Sequence, residues 1–567
     1  MKNKYKVLDF ICLRDCLNYD PLVKYYKKNI NEDIQVKLIR KKNFSFVIFF
    51  SDSSVIPEIS SNFDLFLTKH HVDPNDLNYT AESDCKYTEG YVQISSTSAL
   101  DRVIITTDKI GNIPIYIQNL NGYSYFSSHP DLFIFNDSDF SYDYTSISEF
   151  LLVGVVTFPF TCYKNVRQAA PSSIYTYSGG NVVSQNIIWK PSPQDMFQNI
   201  NDYAELLNAK LHDTAKYIIK TESKFRLFLS GGDDSRLLAK IFSNYCDLNC
   251  EIFISNNRET IIANKITNIC NYNSHRTKVS NNFYLDNHKM CSTIAGLGHQ
   301  FMHLHAYTVD RNYAYISGYL ADALFKGSRM HTKKIKYLPI DFKIPAKGSL
   351  RLFNKNKLKF LSKDRINEIN ERREIFSTSR IFDSSIKNED YIGFYPLTQY
   401  KSSPFSFSQR RFIDIYDPFT SYKLIDLSFQ CKDEWKLNRV LYSRLHSLNS
   451  CKSKYVPHTN GHILEFNYWL NLFVTPLIII LRRIVNIRIN RVYEGSWINW
   501  GSFLSSNQFK LIYKNDYSII FKNIKNLKIN HFLKNKHFKK SNKSSLIQFL
   551  HIINIQKDVK KDIQKVI

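Results

Sequence analysis

Phe225-Arg226-Leu227-Phe228-Leu229-Ser230-Gly231-Gly232-Asp233-Asp234-Ser235-Arg236-Leu237-Leu238-Ala239-Lys240-Ile241-Phe242 runs from a short apolar segment through a two-glycine corner into an amphipathic segment. Leu227, Phe228 and Leu229 have the character of a buried parallel strand. Leu237, Leu238 and Ile241 recur at helical spacing just past the corner. Glycine lets a backbone approach a ligand with no Cβ in the way. The free N–H groups opening the next helix then point at whatever sits there, and the helix dipole favours an anion. Strand, glycine corner and helix together predict a phosphate cradle.

A Walker loop would carry a lysine after its last glycine to reach terminal phosphates. Here Asp234 stands instead, and a carboxylate beside phosphates makes sense if it holds Mg²⁺, which binds through one or two carboxylates plus substrate phosphates. Ser230 and Ser235 are placed to donate to phosphate oxygens. The order Ser-Gly-Gly-Xaa-Asp-Ser after a strand resembles the pyrophosphate loop of ATP pyrophosphatases, enzymes that adenylate a substrate and release pyrophosphate. That resemblance implies ATP over Ser230, Gly231, Gly232, Asp233, Ser235 and Arg236, with Asp234 on the magnesium. The competing reading is an incidental Gly-Gly turn.

The 567 residues suffice for two or more cores, and 43% apolar with 22% charged residues is ordinary for globular chains. The net charge of +25 is not ordinary. Residues 501–567 hold 14 Lys against 3 Asp, a net +11. Such a segment binds nucleic acid or an anionic membrane, or is simply a solvated face; the last is the reading favoured from sequence, with nucleic acid not expected as a partner. The 10 Cys are scattered without paired zinc-finger spacing, as expected of reduced thiols in a cytoplasmic protein. Charged residues close behind Met1 preclude a secretory apolar region. The apolar run 472–481 contains Pro476 and stops at Arg482-Arg483, so no transmembrane segment is expected.

Residues 1–190 read as mainly β, with strands expected at 44–50, 91–95, 102–107, 113–117 and 123–128, arranged as a sandwich. Thr107-Asp108-Lys109-Ile110-Gly111-Asn112-Ile113-Pro114-Ile115-Tyr116 resembles the Asp-Xaa-Xaa-Gly-Xaa-Xaa-Pro-Leu-Tyr stretch of class-II glutamine amidotransferase domains. Tyr125-Phe126-Ser127-Ser128 is similar to the Phe-Ala-Ser-Glu segment that follows it there. Such a domain ahead of a pyrophosphate loop is the order of asparagine synthetases. The resemblance covers most of the chain in patches. It implies an α/β protein: an N-terminal β-rich Ntn-like sandwich over 1–190, then a parallel-sheet, adenine nucleotide α-hydrolase-like domain over 200–567. The family's glutaminase uses an N-terminal Cys whose own amine serves as base. Position 2 is Lys2, and Cys12 and Cys16 are internal, so this domain is expected to be silent as a glutaminase.

A helix is expected over 201–220 and a strand over 251–255, with Ser255 bordering adenosine at the strand's carboxyl end. Gly318-Tyr319-Leu320-Ala321-Asp322 looks like the family's second Gly-Xaa-Xaa-Xaa-Asp segment, implying that Asp322 is the second magnesium ligand beside Gly318. The alternative is a helix-start Asp that favours the dipole. His299, His303 and His305 lack a Glu between them, and line a substrate pocket more readily than a metal site. Residues 417–427 and 435–442 resemble later family blocks. The family's catalytic lysine pattern is not preserved; Lys454 is the substitute chosen here, with Lys452 and Arg439 open and a solvated surface lysine the competing reading.

The resemblance therefore implies an AMP-forming carbon–nitrogen ligase using ATP and Mg²⁺. It would activate a small-molecule carboxylate and pass it to ammonia or an amine, and a homodimer is compatible with it. The rivals are an RNA-modifying ATP pyrophosphatase and a non-catalytic scaffold descended from a synthetase.

Overall fold

The computed structural model describes residues 4–14, 19–41, 44–57, 63–73, 90–97, 102–136, 141–153, 155–191, 197–254, 258–278, 308–328, 330, 332–334, 343–345, 361–379, 381, 395–399, 407–449, 452–488 and 507. Helices and strands both contribute, in two sheets of different kinds plus a small hairpin.

The first sheet has eleven strands. They are β1 (Val7–Arg14), β2 (Ile34–Arg40), β3 (Phe44–Ser51), β4 (Phe63–Leu67), β5 (Val92–Thr97), β6 (Arg102–Thr106), β7 (Tyr116–Leu120), β8 (Tyr123–Ser127), β9 (Val166–Gln168), β10 (Ser173–Ser178) and β11 (Asn181–Ile187). The order is β11-β10-β6-β5-β4-β1-β8-β7-β9, with β3 also on β1 and β2 beyond it. All pairs are antiparallel except β1 with β4. Two separate layers were expected; the strands instead form one continuous sheet that curls over itself. The curl brings Phe44 of β3 within 4.8 Å of Tyr177 of β10, ring to ring, and sets Phe126 of β8 against Tyr175 and Tyr177. Gly180 accepts a hydrogen bond from the Ser124 N–H as the two ends meet. Pro114 interrupts the expected 113–117 strand, because proline has no N–H for the ladder, and β7 starts after it. Helix α1 (Asp20–Asn29) covers the outer face, with Tyr26 stacked 3.9 Å from Phe49. Helix α2 (Tyr144–Val153) packs nearby.

The second sheet is parallel throughout. Its order is β14 (Asn273–Lys278), β13 (Asn249–Ile254), β12 (Phe225–Phe228), β15 (Ala314–Ile316) and β18 (Asp414–Tyr416). The hairpin of β16 (Thr332–Lys334) and β17 (Lys343–Pro345) stands apart. Helix α3 (Ile200–Thr221) leads into β12; Asn199 caps it by accepting from the Asn201 N–H, and Tyr203, Leu207, Leu211 and Ile218 fill its buried face. Helix α4 (Asp233–Phe242) follows β12 and α5 (Arg258–Cys270) follows β13. The chain leaves β12 through β13 and β14 on one side, then returns through β15 and β18 on the other. Between β12 and β15 the order therefore reverses, and in open α/β sheets ligands collect in the crevice at the carboxyl ends of such strands.

The two halves interlock. Asp9 of β1 accepts from Arg411 Nε at 2.6 Å and Arg410 Nη2 at 3.2 Å, all buried. Lys6 donates to Asp414 at 2.7 Å, Lys69 to Asp417, and His70 stacks 3.8 Å from Tyr416. The turn at Asp108–Asn112, where Gly111 takes φ +73, inserts Ile110 into the second core. Conversely, Leu361 and Ile369 belong to the first core. Ile369 lies on helix α7 (Lys363–Ser377), which follows the short α6 (Ala321–Phe325).

Candidate active site

Residues 229–232 join β12 to α4, and the corner is held by its own hydroxyls. Ser235 Oγ accepts from the Ser230 N–H at 3.1 Å, Ser230 Oγ accepts from the Gly232 N–H at 3.0 Å, and the two hydroxyls share a hydrogen bond of 3.0 Å. Neither Gly231 nor Gly232 has a positive φ. Close approach is the reason for Gly231: a Cβ there would lie 2.8 Å from Thr459 Cγ2 and 3.2 Å from Ile262. One side of the corner is thus covered by residues 456–462. Arg236 fixes that cover, donating to Val456 O at 2.6 Å, Pro457 O at 3.1 Å and Gly231 O at 3.2 Å. Its sequence-expected part, phosphate binding, gives way here to stapling backbone carbonyls.

Asp233 points away from Asp234, into the cover. It accepts from Arg439 Nε at 2.8 Å and His462 Nε2 at 3.2 Å, with His458 Nε2 at 3.7 Å. Burial works against this carboxylate, but Arg439 and the two histidines outweigh it and hold it well below the usual range. Spacing alone would let Asp233, His458 and His462 hold a metal. The tautomer argues otherwise. His458 Nδ1 accepts from the Asn460 N–H at 2.9 Å, so the neutral ring carries its proton on Nε2, facing Asp233. A metal-binding ring needs that lone pair and normally donates from its other nitrogen. The trio satisfies a buried carboxylate.

Asp234 and Asp322 do converge. Asp234 stands in the first turn of α4, after β12; Asp322 stands in the first turn of α6, after β15. They approach across the switch point because Gly318 has no side chain; a Cβ there would lie 2.8 Å from the Asp234 Cβ. Lys326 lies between them, its Nζ 2.8 Å from Asp234 Oδ1 and 2.5 Å from Asp322 Oδ1, over the Tyr442 ring at 4.7 Å. Burial pushes the Asp234 carboxyl up to about 6, partly offset by Lys326 and reinforced by the Asp322 charge. Burial would lower the Lys326 ammonium, yet the carboxylates around it raise it above its ordinary value. Two carboxylates from separate strand ends are hard oxygen ligands of the kind Mg²⁺ takes, and the cation they hold is the end of a flexible side chain. The donor set fits a divalent ion at the position that ammonium occupies.

Lys454 is not brought to this pair. It pairs with Glu465 at 3.4 Å and shares a cleft with Arg236, Lys240, His446, Asn449, Leu464 and Glu465. Ser255, His299, His303, His305 and the segment 501–567 lie outside the described residues, apart from Asn507. Cys12 sits inside β1, where burial pushes its thiol up to about 12. Sequence reasoning missed Lys326, His458 and His462, and left Arg439 open only as a catalytic cation, where the structure pairs it with Asp233. The signals were present: Lys326 is four residues after Asp322, an ion-pair spacing on a helix, and His458 and His462 share that spacing.

No protein-family model matches the chain, and no curated protein matches it.

Proposed function

We propose that the chain is an ATP-dependent, AMP-forming ligase that adenylates a small-molecule carboxylate and transfers it to ammonia or an amine, as the asparagine synthetase resemblance implies. The observation that carries this reading is the convergence of Asp234 and Asp322 from the strand ends on either side of the sheet's reversal, beside the Ser230–Ser235 corner. In this reading the corner's hydroxyls and the opening N–H groups of α4 exchange their mutual hydrogen bonds for phosphate oxygens. Asp234 and Asp322 would hold Mg²⁺, which when bound supplies charge neutralisation on the phosphates and the leaving group. Lys326, displaced from between the carboxylates, carries a compact positive charge next to the pyrophosphate as it departs. It takes the part assigned from sequence to Lys454. The substrate carboxylate oxygen attacks the α-phosphorus, the bond to the bridging oxygen breaks, and the acyl-adenylate passes to the nitrogen nucleophile. Cys12, buried inside β1, supports a nitrogen source other than glutamine hydrolysis by that thiol.

A second reading, a non-catalytic descendant of such an enzyme, is favoured by two features: Lys326 fills the cation position, and residues 456–462 cover Gly231. Pyrophosphate release from ATP, screened over aspartate, uronic acids and short peptides with ammonia and glutamine compared, separates the two. Release that depends on a carboxylate supports the ligase; ATP binding without any release supports the scaffold.

A further inference from the structure

The long helix Tyr468–Arg488 is packed inside out. Asn471, Thr475 and Arg482 face the protein, while Arg483 is exposed. Asn471 accepts from the Ile463 N–H at 2.8 Å and donates to Ile463 O and Phe466 O. Thr475 and Ile479 lie against Gly461, and Arg482 donates to Thr459 O at 2.8 Å and His458 O at 2.9 Å. Residues 471, 475, 479 and 482 recur at helical spacing, so one face is fully engaged. The other face is apolar and open: Phe473 is 72% exposed, Trp469 64% and Leu481 61%, with Leu477, Ile480 and Ile484 between and beyond them. Single exposed apolar residues are normal on a soluble protein, but a stripe four turns long marks an interaction surface.

Charge identifies the occupant. Residues 482–567 carry 18 Lys and Arg against 4 Asp and Glu, a net +14 immediately following the stripe. A second copy of this chain, itself at +25, would bring like charge to the same place. An anionic lipid surface meets both features, since an apolar face buries at the headgroup boundary while basic residues attract acidic headgroups. By length and composition the helix would also cross a bilayer. Its polar face, however, is hydrogen-bonded through Asn471 and Arg482 to residues 458–466, and spanning would carry those loop groups into hydrocarbon.

We propose that helix Tyr468–Arg488 lies flat on an anionic membrane surface, with Trp469, Phe473, Leu477, Ile480, Leu481 and Ile484 in the headgroup boundary and the net positive charge of the chain after it favouring acidic headgroups. The chain is then a peripheral membrane protein, held with its candidate site's 456–462 cover resting on the back of the docked helix.

The test is flotation of the full chain with preformed vesicles of phosphatidylglycerol mixed with phosphatidylcholine, and of phosphatidylcholine alone. The protein is expected to float with the anionic vesicles, and less so as salt shortens the screening length from about 10 Å at 0.1 M to about 3 Å at 1 M. The triple variant Phe473→Ser, Leu477→Ser, Ile480→Ser, altered only at exposed positions, is expected to lose about tenfold or more in vesicle affinity with an unchanged circular dichroism spectrum. Should that variant misfold, Phe473→Asp alone and quenching of Trp469 emission by brominated lipid read the same contact. Four results overturn the proposal: no flotation with either vesicle; equal flotation of a folded variant, which leaves the tail as the whole attachment; a dimer that the variant converts to monomer, which seats a second copy on the stripe; or resistance of the expressed protein to alkaline carbonate extraction, which means it spans.

Discussion

Replacing Lys326 by Met keeps most of the side-chain stem and removes the only charge that the structure sets between Asp234 and Asp322 among the described residues. The ammonium lies within 2.8 Å of the first carboxylate and 2.5 Å of the second. Breaking a buried pair costs about 3–5 kcal/mol, because the remaining charge is left uncompensated. Asp322 is 59% exposed, so water screens its share, and the loss falls on Asp234. Asp234 can also take up a proton, its carboxyl already being raised to about 6. That limits the loss, and about 2–3 kcal/mol near neutral pH is expected for K326M. If the carboxylates are cation ligands, Mg²⁺ returns part of this to the variant and adds little to the parent, whose lysine competes for the same place. Heat unfolding of both proteins with and without Mg²⁺ measures it. Equal Mg²⁺ responses in parent and variant, or a variant as stable as the parent, would refute the bridging geometry.

Three further outcomes follow from other contacts. Burial lowers His70 from 6.5 to about 3. The unfolded chain therefore takes the proton first, and stability that is complete above pH 6.5 falls by about 1.4 kcal/mol per unit as pH drops toward 3; unfolding of His70→Phe across that range should be flatter, and an identical slope would remove His70 as the cause. Asp9→Asn strands Arg410 and Arg411 between the two halves and should cost about 3–5 kcal/mol, splitting a single calorimetric transition into two; an unchanged thermogram would contradict the interlock. Gly318→Ala places a Cβ 2.8 Å from that of Asp234, and about 1–3 kcal/mol of destabilisation is expected from the overpacking, with weakened Mg²⁺ protection of K326M when the two are combined.

The centre of the parallel sheet was legible because its signals are local. Leu227 to Phe242 carries strand, corner and helix in consecutive residues, and the helix expected over 201–220 shows its apolar stripe, while its Asn199 cap emerges from the structure. The eleven-stranded sheet was legible in its strands and not in their assembly: alternation marks β5, but nothing local says that β1 pairs with β3, β4 and β8 at once and so joins two layers into one sheet. The interlock was not legible along the chain, because Ile369 packs in the first core and Ile110 in the second through contacts hundreds of residues apart. In the site, Asp234 and Asp322 were found by motif. Lys326 and the turnover of Asp233 into Arg439 and His462 depend on folding brought about by distant segments. In sequence, the apolar run at 472–481 shows only its length, Pro476 and its stop at Arg482-Arg483. Its significance lies in which face the protein covers, and only packing reveals that.

The most direct test of the central claim is carboxylate-dependent exchange of labelled pyrophosphate into ATP by the full chain in the presence of Mg²⁺, compared with Asp234→Asn and Asp322→Asn. Exchange in the parent that is lost in both folded variants is the predicted result. Exchange that persists in either variant, or that needs no divalent ion, would contradict the account.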